Sequence, residues 1–271
     1  MQAKYGLFYG GAFHPAEGNA ETENGNPATG ELVARVAAAT ARDVDAAVAA
    51  AAGAFGAWRH LGPVDRARVL TGVAEIVDGH RRELGEIETR DTGRPIAETL
   101  LDIDAFSDLM RYFAGVVRSD EESMLRHSQT EMSLIRREPL GVVGLIIPWN
   151  YPFSTLGWKL APALAAGNAV VAKPASLTPM SALRLCELTR DILPPGVLNV
   201  VTGSGSVCGE ALITHPGIAK LSFTGSTAVG RRVAAAAAER VIPVTLELGG
   251  KSANIVFPDA DMSRAVEAAA M

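Results

Sequence analysis

The chain has 271 residues, 48% hydrophobic and 20% charged, enough to bury a full core as one large or two modest domains. A formal net charge of −5 gives no bulk attraction to nucleic acid or to an anionic membrane surface, so neither is expected as a partner and any phosphate must be held locally. The greasiest stretch, Val142 to Ala172, is broken by Pro148, Trp149, Asn150, Pro152, Lys159 and Pro162 before it reaches a membrane span. The opening residues, "MQAKYGLFYGG", lack the basic start, apolar core and cleavage site of a secretory signal, which makes the cytoplasm the default compartment.

In chain order, "NPATGE" (Asn26 to Glu31) is a turn signal followed by the strand-like "ELVARVA". Thr40 and Asp43 form a capping-box pattern that opens an Ala-rich helix to Trp58. A second helix is expected from about Val64 to Glu88, stopping at "DTGRP", and a third from Ile96 to about Val117. From Glu121 to Pro139 the pattern turns extended and polar, an arm or edge ribbon that needs a partner.

From Gly141 onward short apolar runs alternate with helical patterns. The runs are "GVVGLII" (141–147), "NAVVAK" (168–173), "VLNVV" (197–201), "AKLSF" (219–223) and "PVTLEL" (243–248), and helices are expected near 154–166, 178–193, 206–214 and 226–239. Continuous apolar strands separated by helices imply a parallel sheet covered on both faces, in which ligands bind beyond the carboxyl ends of the strands.

The residues at those ends are chemically suggestive, each with a plainer reading beside it. In "PWNYPF", Asn150 either aims its amide at a developing oxyanion or satisfies local backbone. In "KPASLTP", Lys173 either reaches ribose or phosphate oxygens or snorkels to the rim, with Ser176 beside it. "TGSGSVCG" and "FTGSTAVG" put glycines between a strand and a helix, where backbone amides approach a pyrophosphate or simply turn tightly. "TLELGGK" places Glu247 inside what reads as a buried strand, a costly position for a carboxylate unless it is paired, solvated or used.

Other chemistries are poorly served. No serine has glycines two residues before and two after it, as a nucleophile elbow requires, and the five histidines form no HExxH, so no metal site is expected. Cys186 and Cys208 match no zinc or redox spacing and read as small core fillers.

Together, "IIPWNYPF", "AGNAVVAKPASLTP", "GVLNVVTG", "LSFTGSTAVG" and "LELGGKSANIVFPDAD", with "NPATGELVARV" upstream, closely resemble the aldehyde dehydrogenase superfamily over nearly the whole chain. The resemblance implies an α/β fold, a doubly wound Rossmann-like parallel sheet with N-terminal helices and an extended arm. Residues 1–120 would be the helical part of the NAD(P)-binding domain, 121–139 an oligomerisation arm, 140–248 the cofactor-binding core and 249–271 the start of a catalytic domain. It also implies roles. Asn150 would donate to the oxyanion of a cysteine thiohemiacetal, and Glu247 would be the general base that sends water against the thioester. Lys173 would bind the adenosine ribose, Gly225 and Ser226 would face the pyrophosphate, and Leu248 and Gly249 would border the nicotinamide. Ile147, Pro148, Trp149, Ala175, Ser176, Gly205 and Phe223 would complete the cofactor wall.

Two departures from that pattern matter. The nucleophilic cysteine should lie about ten residues beyond Met271, since only 24 residues follow Glu247. The expectation is thus a chain cut short of its nucleophile and inactive alone, belonging to a homodimer or homotetramer that takes a small-molecule aldehyde. The alternatives are a non-catalytic module that binds a dinucleotide or a partner, and, more distantly, a reductase of acyl phosphates. The second departure is Ser176, where many NAD-preferring relatives carry Glu. Without that carboxylate a 2′-phosphate is not repelled, so either NAD or NADP is expected, with NADP tolerated.

Overall fold

The computed structural model describes residues 3–119 and 122–270, which leaves Met1, Gln2, Asp120, Glu121, where the expected arm begins, and the terminal Met271 outside the described residues. The amino-terminal part opens with β1 (Ala3–Tyr5) and a hairpin of β2 (Leu7–Tyr9) and β3 (Ala12–His14). Gly10 and Gly11, with φ of 61° and 85°, form the two-residue turn between them, which demands positive φ at both positions. Next come β4 (Glu21–Gly25) and β5 (Leu32–Ala37), which with β1 build a small sheet in the order β1-β5-β4.

Four helices follow: α1 (Ala41–His60), α2 (Pro63–Gly79), α3 (Arg81–Thr92) and α4 (Ile96–Ser119). The expected capping box is present at α1, where Thr40 and Asp43 satisfy each other's backbone amides. The single helix expected over 64–88 is instead two, because His80 leaves helical geometry (φ −114°, ψ 17°) directly after Gly79, a poor helix former. An antiparallel ribbon of β6 (Ser123–Arg126) and β7 (Met132–Ile135) then stands away from the body, with Met124, Leu125, Met132, Leu134 and Ile135 all more than half exposed.

The rest alternates regularly: β8 (Val142–Ile146), α5 (Pro152–Ala165), β9 (Ala169–Lys173), α6 (Met180–Thr189), β10 (Leu198–Val200), α7 (Glu210–Thr214), β11 (Ile218–Gly225), α8 (Thr227–Glu239), β12 (Val244–Leu248) and α9 (Met262–Ala270). A single π-helical turn over Gly205–Gly209 leads into α7. The main sheet runs β12-β11-β8-β9-β10-β2-β3, parallel from β12 to β10 and closed on one side by the antiparallel β2–β3 hairpin. The part played by that hairpin is not visible in its sequence pattern.

Alternate strand residues feed two cores, as a sheet covered on both sides requires. Val143, Leu145, Val170, Ala172, Leu198 and Val200 pack with α5 and α6, which are backed by α2, α3 and α4. Val142, Ala169, Val171, Leu221 and Phe223 pack with α1, α7 and α8 on the opposite face. The chain moves from β8 outward through β9 to β10, then returns to lay β11 on the other side of β8. That reversal between β8 and β11 is the topological switch point, where open α/β sheets form a crevice beyond their carboxyl ends.

Candidate functional site at the carboxyl ends of the strands

The strand register brings the expected residues into one row. Leu246 pairs with Phe223, Phe223 with Ile146, and Ile146 with Lys173, so β12, β11, β8 and β9 end level with one another. Three strand spacings of about 4.8 Å make the row some 14 Å wide. Glu247, opposite Thr224, stands just past one end of it, and Ile147 to Asn150 leave its middle.

Each expected residue has a definite environment. Ile147 is buried and donates its N–H to the Lys173 carbonyl at 3.0 Å, which ties the exit of β8 to that of β9. Pro148 is half-buried, whereas Trp149 and Asn150 project into solvent, and Asn150 makes no side-chain hydrogen bond among the described residues. Lys173 is buried, and its Nζ makes one hydrogen bond among the described residues, to the Pro174 carbonyl at 3.1 Å. Burial lowers its pKa, with the nearby Cys208 opposing. Ala175 is half-buried and Ser176 exposed, its hydroxyl donating to the Gly203 carbonyl at 2.9 Å.

On the neighbouring loops, Gly205 begins the π turn facing open space. Phe223 is buried, and a Cβ on Gly225 would come within 2.6 Å of its ring, so this turn accepts only glycine without rearrangement. Ser226 is the N-cap of α8, its hydroxyl accepting the Val229 amide. Leu248 rests against Gly230 of α8, and Gly249 follows in the open.

One expectation is corrected. Glu247 is not enclosed in a buried strand: β12 is the sheet's edge, and both Glu247 and Thr245 are exposed. Helices α5 and α6 cover β8, β9 and β10 on that face, but among the described residues no helix lies over β11 and β12 there. An apolar groove of about 570 Å³ takes its place, bordered by Leu140, Val143, Trp158, Lys159, Ser222 and Thr245.

Lys159 is a residue that sequence reasoning passed over. It is buried on α5 and donates from Nζ to Ser222 Oγ at 2.9 Å. Desolvation brings its pKa down to about 8, partly countered by the charge of Glu247. A lysine on the buried face of an apolar helix, in "GWKLAP", was the available signal. Also unforeseen are two buried carboxyls of α3, Glu88 and Asp91, which accept the backbone amides of Phe153 and Met180 at 3.0 and 2.9 Å.

The cysteines are core, as their surroundings in sequence imply. Both are fully buried, with burial raising the Cys186 thiol and pushing Cys208 up to about 11. Among the described residues no cluster of His, Cys, Asp or Glu has a metal-binding arrangement, and no helix is long and apolar enough to cross a membrane.

Glycine-rich strand ends flanking a switch point between β8 and β11 define a doubly wound α/β protein of the Rossmann type. More closely, the chain belongs to the aldehyde dehydrogenase family, whose profile matches residues 13–271. It is 48% identical over 266 residues to fluoroacetaldehyde dehydrogenase of Streptantibioticus cattleyicolor, covering 97% of this chain and 52% of that protein. It is 47% identical over 261 residues to aldehyde dehydrogenase B of Escherichia coli strain K12, covering 96% and 51%. Among solved structures it resembles the NAD+ complex of an aldehyde dehydrogenase from Bacillus cereus, with a TM-score of 0.95 and 40% identity over 97% of this chain and 55% of that one. It likewise resembles PnpE from Pseudomonas sp. WBC-3, with a TM-score of 0.96 and 43% identity over 100% of this chain and 55% of that one. The chain thus spans about half the length of the curated relatives it matches.

Proposed function

We propose that these residues form the cofactor-binding half of an enzyme that oxidises a small-molecule aldehyde to a carboxylic acid with NAD or NADP. The observation that carries this reading is the level row from Leu246 to Lys173, with Glu247 just past one end of it and Asn150 on the segment that leaves its middle. Its donor set suits a dinucleotide: an ammonium whose remaining protons are available at Lys173, a glycine turn at Gly225 that admits backbone to a diphosphate, and the positive end of α8 at Ser226. Leu248 and Gly249 border the nicotinamide, and Ile147, Pro148, Trp149, Ala175, Ser176, Gly205 and Phe223 line the remainder.

The bound cofactor supplies the hydride acceptor. Asn150, with its amide free, donates to the oxygen that becomes negative when a nucleophile adds to the aldehyde carbon. Glu247, on an open edge and electrostatically coupled to Lys159, takes a proton from the water that releases the acid. The nucleophile is neither Cys186 nor Cys208, since each is buried in apolar surroundings that hold the thiol protonated. The 271 residues alone therefore bind cofactor without oxidising aldehyde. In the complete protein the ribbon within residues 121–139, with its exposed apolar side chains, pairs with another copy in a homodimer or homotetramer.

Ser176 sets the cofactor range. Its hydroxyl is neutral and engaged with Gly203, so it imposes no repulsion on a 2′-phosphate, a term on the order of 1 to 4 kcal/mol for a carboxylate at ~4 Å. Fluorescence titration should show NADH and NADPH binding with similar affinity, and Ser176→Glu should weaken NADPH selectively. Markedly tighter NADH binding by the unaltered chain would refute the NADP claim. Aldehyde-dependent formation of NADH by the 271-residue chain would refute the placement of the nucleophile.

A further inference from the structure

A single short stretch, "ETRDTGR" (88–94), reaches the segment that carries Asn150 at two points. Helix α5 begins at Pro152, and its N-cap residue Tyr151 makes no side-chain capping bond. The amide of Phe153 is among the first N–H groups of that helix, which have no partner within it. Glu88, fully buried on α3, supplies the partner from outside through Oε1 at 3.0 Å.

The second point is Arg94, just past the end of α3. Its guanidinium lies over the Tyr151 ring, with Cζ 3.9 Å from the centroid, where cation and ring attract. The arginine is itself clamped by Asp102 and Glu98 of α4, so the surface offered to Tyr151 is fixed. Residues 151 and 153 are thus anchored from α3 and its exit, immediately after the exposed Asn150, which makes no side-chain hydrogen bond among the described residues. The loop bearing Lys173 and Ser176 is held by other side chains, Asp91 of the same helix at the Met180 amide and Asn24 Nδ2 at the Leu177 carbonyl.

We infer that Glu88 and Arg94 are positioning residues for Asn150, acting through a cap supplied from another helix and a stacked ring. The inference rests on the cofactor-site reading given above, and its test separates the two. The intact chain and the variants Glu88→Ala, Glu88→Gln and Arg94→Ala would be titrated with NADH and with AMP, with circular dichroism confirming that each is folded. AMP engages only the Lys173 side of the site, whereas NADH extends beside the Asn150 segment. Glu88→Ala and Arg94→Ala are expected to weaken NADH about tenfold and leave AMP within about twofold. Glu88→Gln, whose side-chain carbonyl still accepts the Phe153 amide, is expected to retain NADH affinity. Hydrogen exchange at Phe153 should rise in Glu88→Ala and stay slow in Glu88→Gln. Unchanged NADH affinity in folded Glu88→Ala and Arg94→Ala, or equal loss of NADH and AMP, would overturn the positioning role alone. Should Glu88→Ala fail to fold, Arg94→Ala carries the same comparison. Failure of the unaltered chain to bind NADH would overturn both readings.

Discussion

Replacing Glu88 by Gln should make the chain more stable above neutral pH and leave its acid stability unchanged. Burial raises this carboxyl from 4.5 to about 7; Asp91 and Asp102 push it the same way, while the Phe153 amide opposes. Its second oxygen, Oε2, has no hydrogen-bond partner among the described residues. Between pH 4.5 and 7 the folded chain keeps a proton that the unfolded chain releases. Stability is therefore fully present below 4.5 and is lost as pH rises through 7, in total by about 3 kcal/mol at ~1.4 kcal/mol per pH unit. Gln cannot ionise and still accepts the Phe153 amide, so it removes this loss. Urea unfolding of both proteins at several pH values from 4.5 to 8 gives the difference directly, with the other titrating groups common to both. The difference should grow from near zero at the acid end to about 3 kcal/mol at pH 8. A difference independent of pH, or one that grows toward acid, would refute the assignment of the titration to Glu88.

Lys159 should contribute a pH dependence of opposite sign. Its folded value of about 8 lies below the ordinary 10.5, so the folded chain sheds this proton first and stability rises between those values. Thermal unfolding across that window should show the rise in the unaltered chain and its absence in Lys159→Met. Asp43→Ala should lower unfolding stability by about 1 to 2 kcal/mol, as measured in urea, because it removes the acceptor for the amides of both Thr40 and Glu17.

Much of the fold was legible in the residues themselves. Runs such as "NAVVAK" and "VLNVV" are apolar on both sides of the pleat, which forces helices onto both faces and makes the sheet parallel. The candidate residues at the strand ends could be picked out for a similar reason: Asn150, Lys173, Gly225 and Ser226 each lie at the end of an apolar run or within three residues past it, and in this architecture ligand crevices lie there. The Thr40 cap was readable because its partner, Asp43, is three residues away.

Only the tertiary structure decided which strands are neighbours. Periodicity records which side chains are apolar, but the burial of a strand also depends on what pairs with it and what covers it. "PVTLEL" has the composition of an inner strand, yet among the described residues it pairs with β11 alone and has one face uncovered, which leaves Glu247 in the open. The same limit hid the hairpin of β2 and β3 beside β10, whose pairing joins Phe8 to Val200 across most of the chain. It hid Glu88 as well, which looks like an ordinary helical acid until Phe153, 65 residues later, brings it an unpaired amide. Local sequence determined the elements and the residues at their ends, whereas contacts between distant segments determined which carboxylates and lysines lost their water.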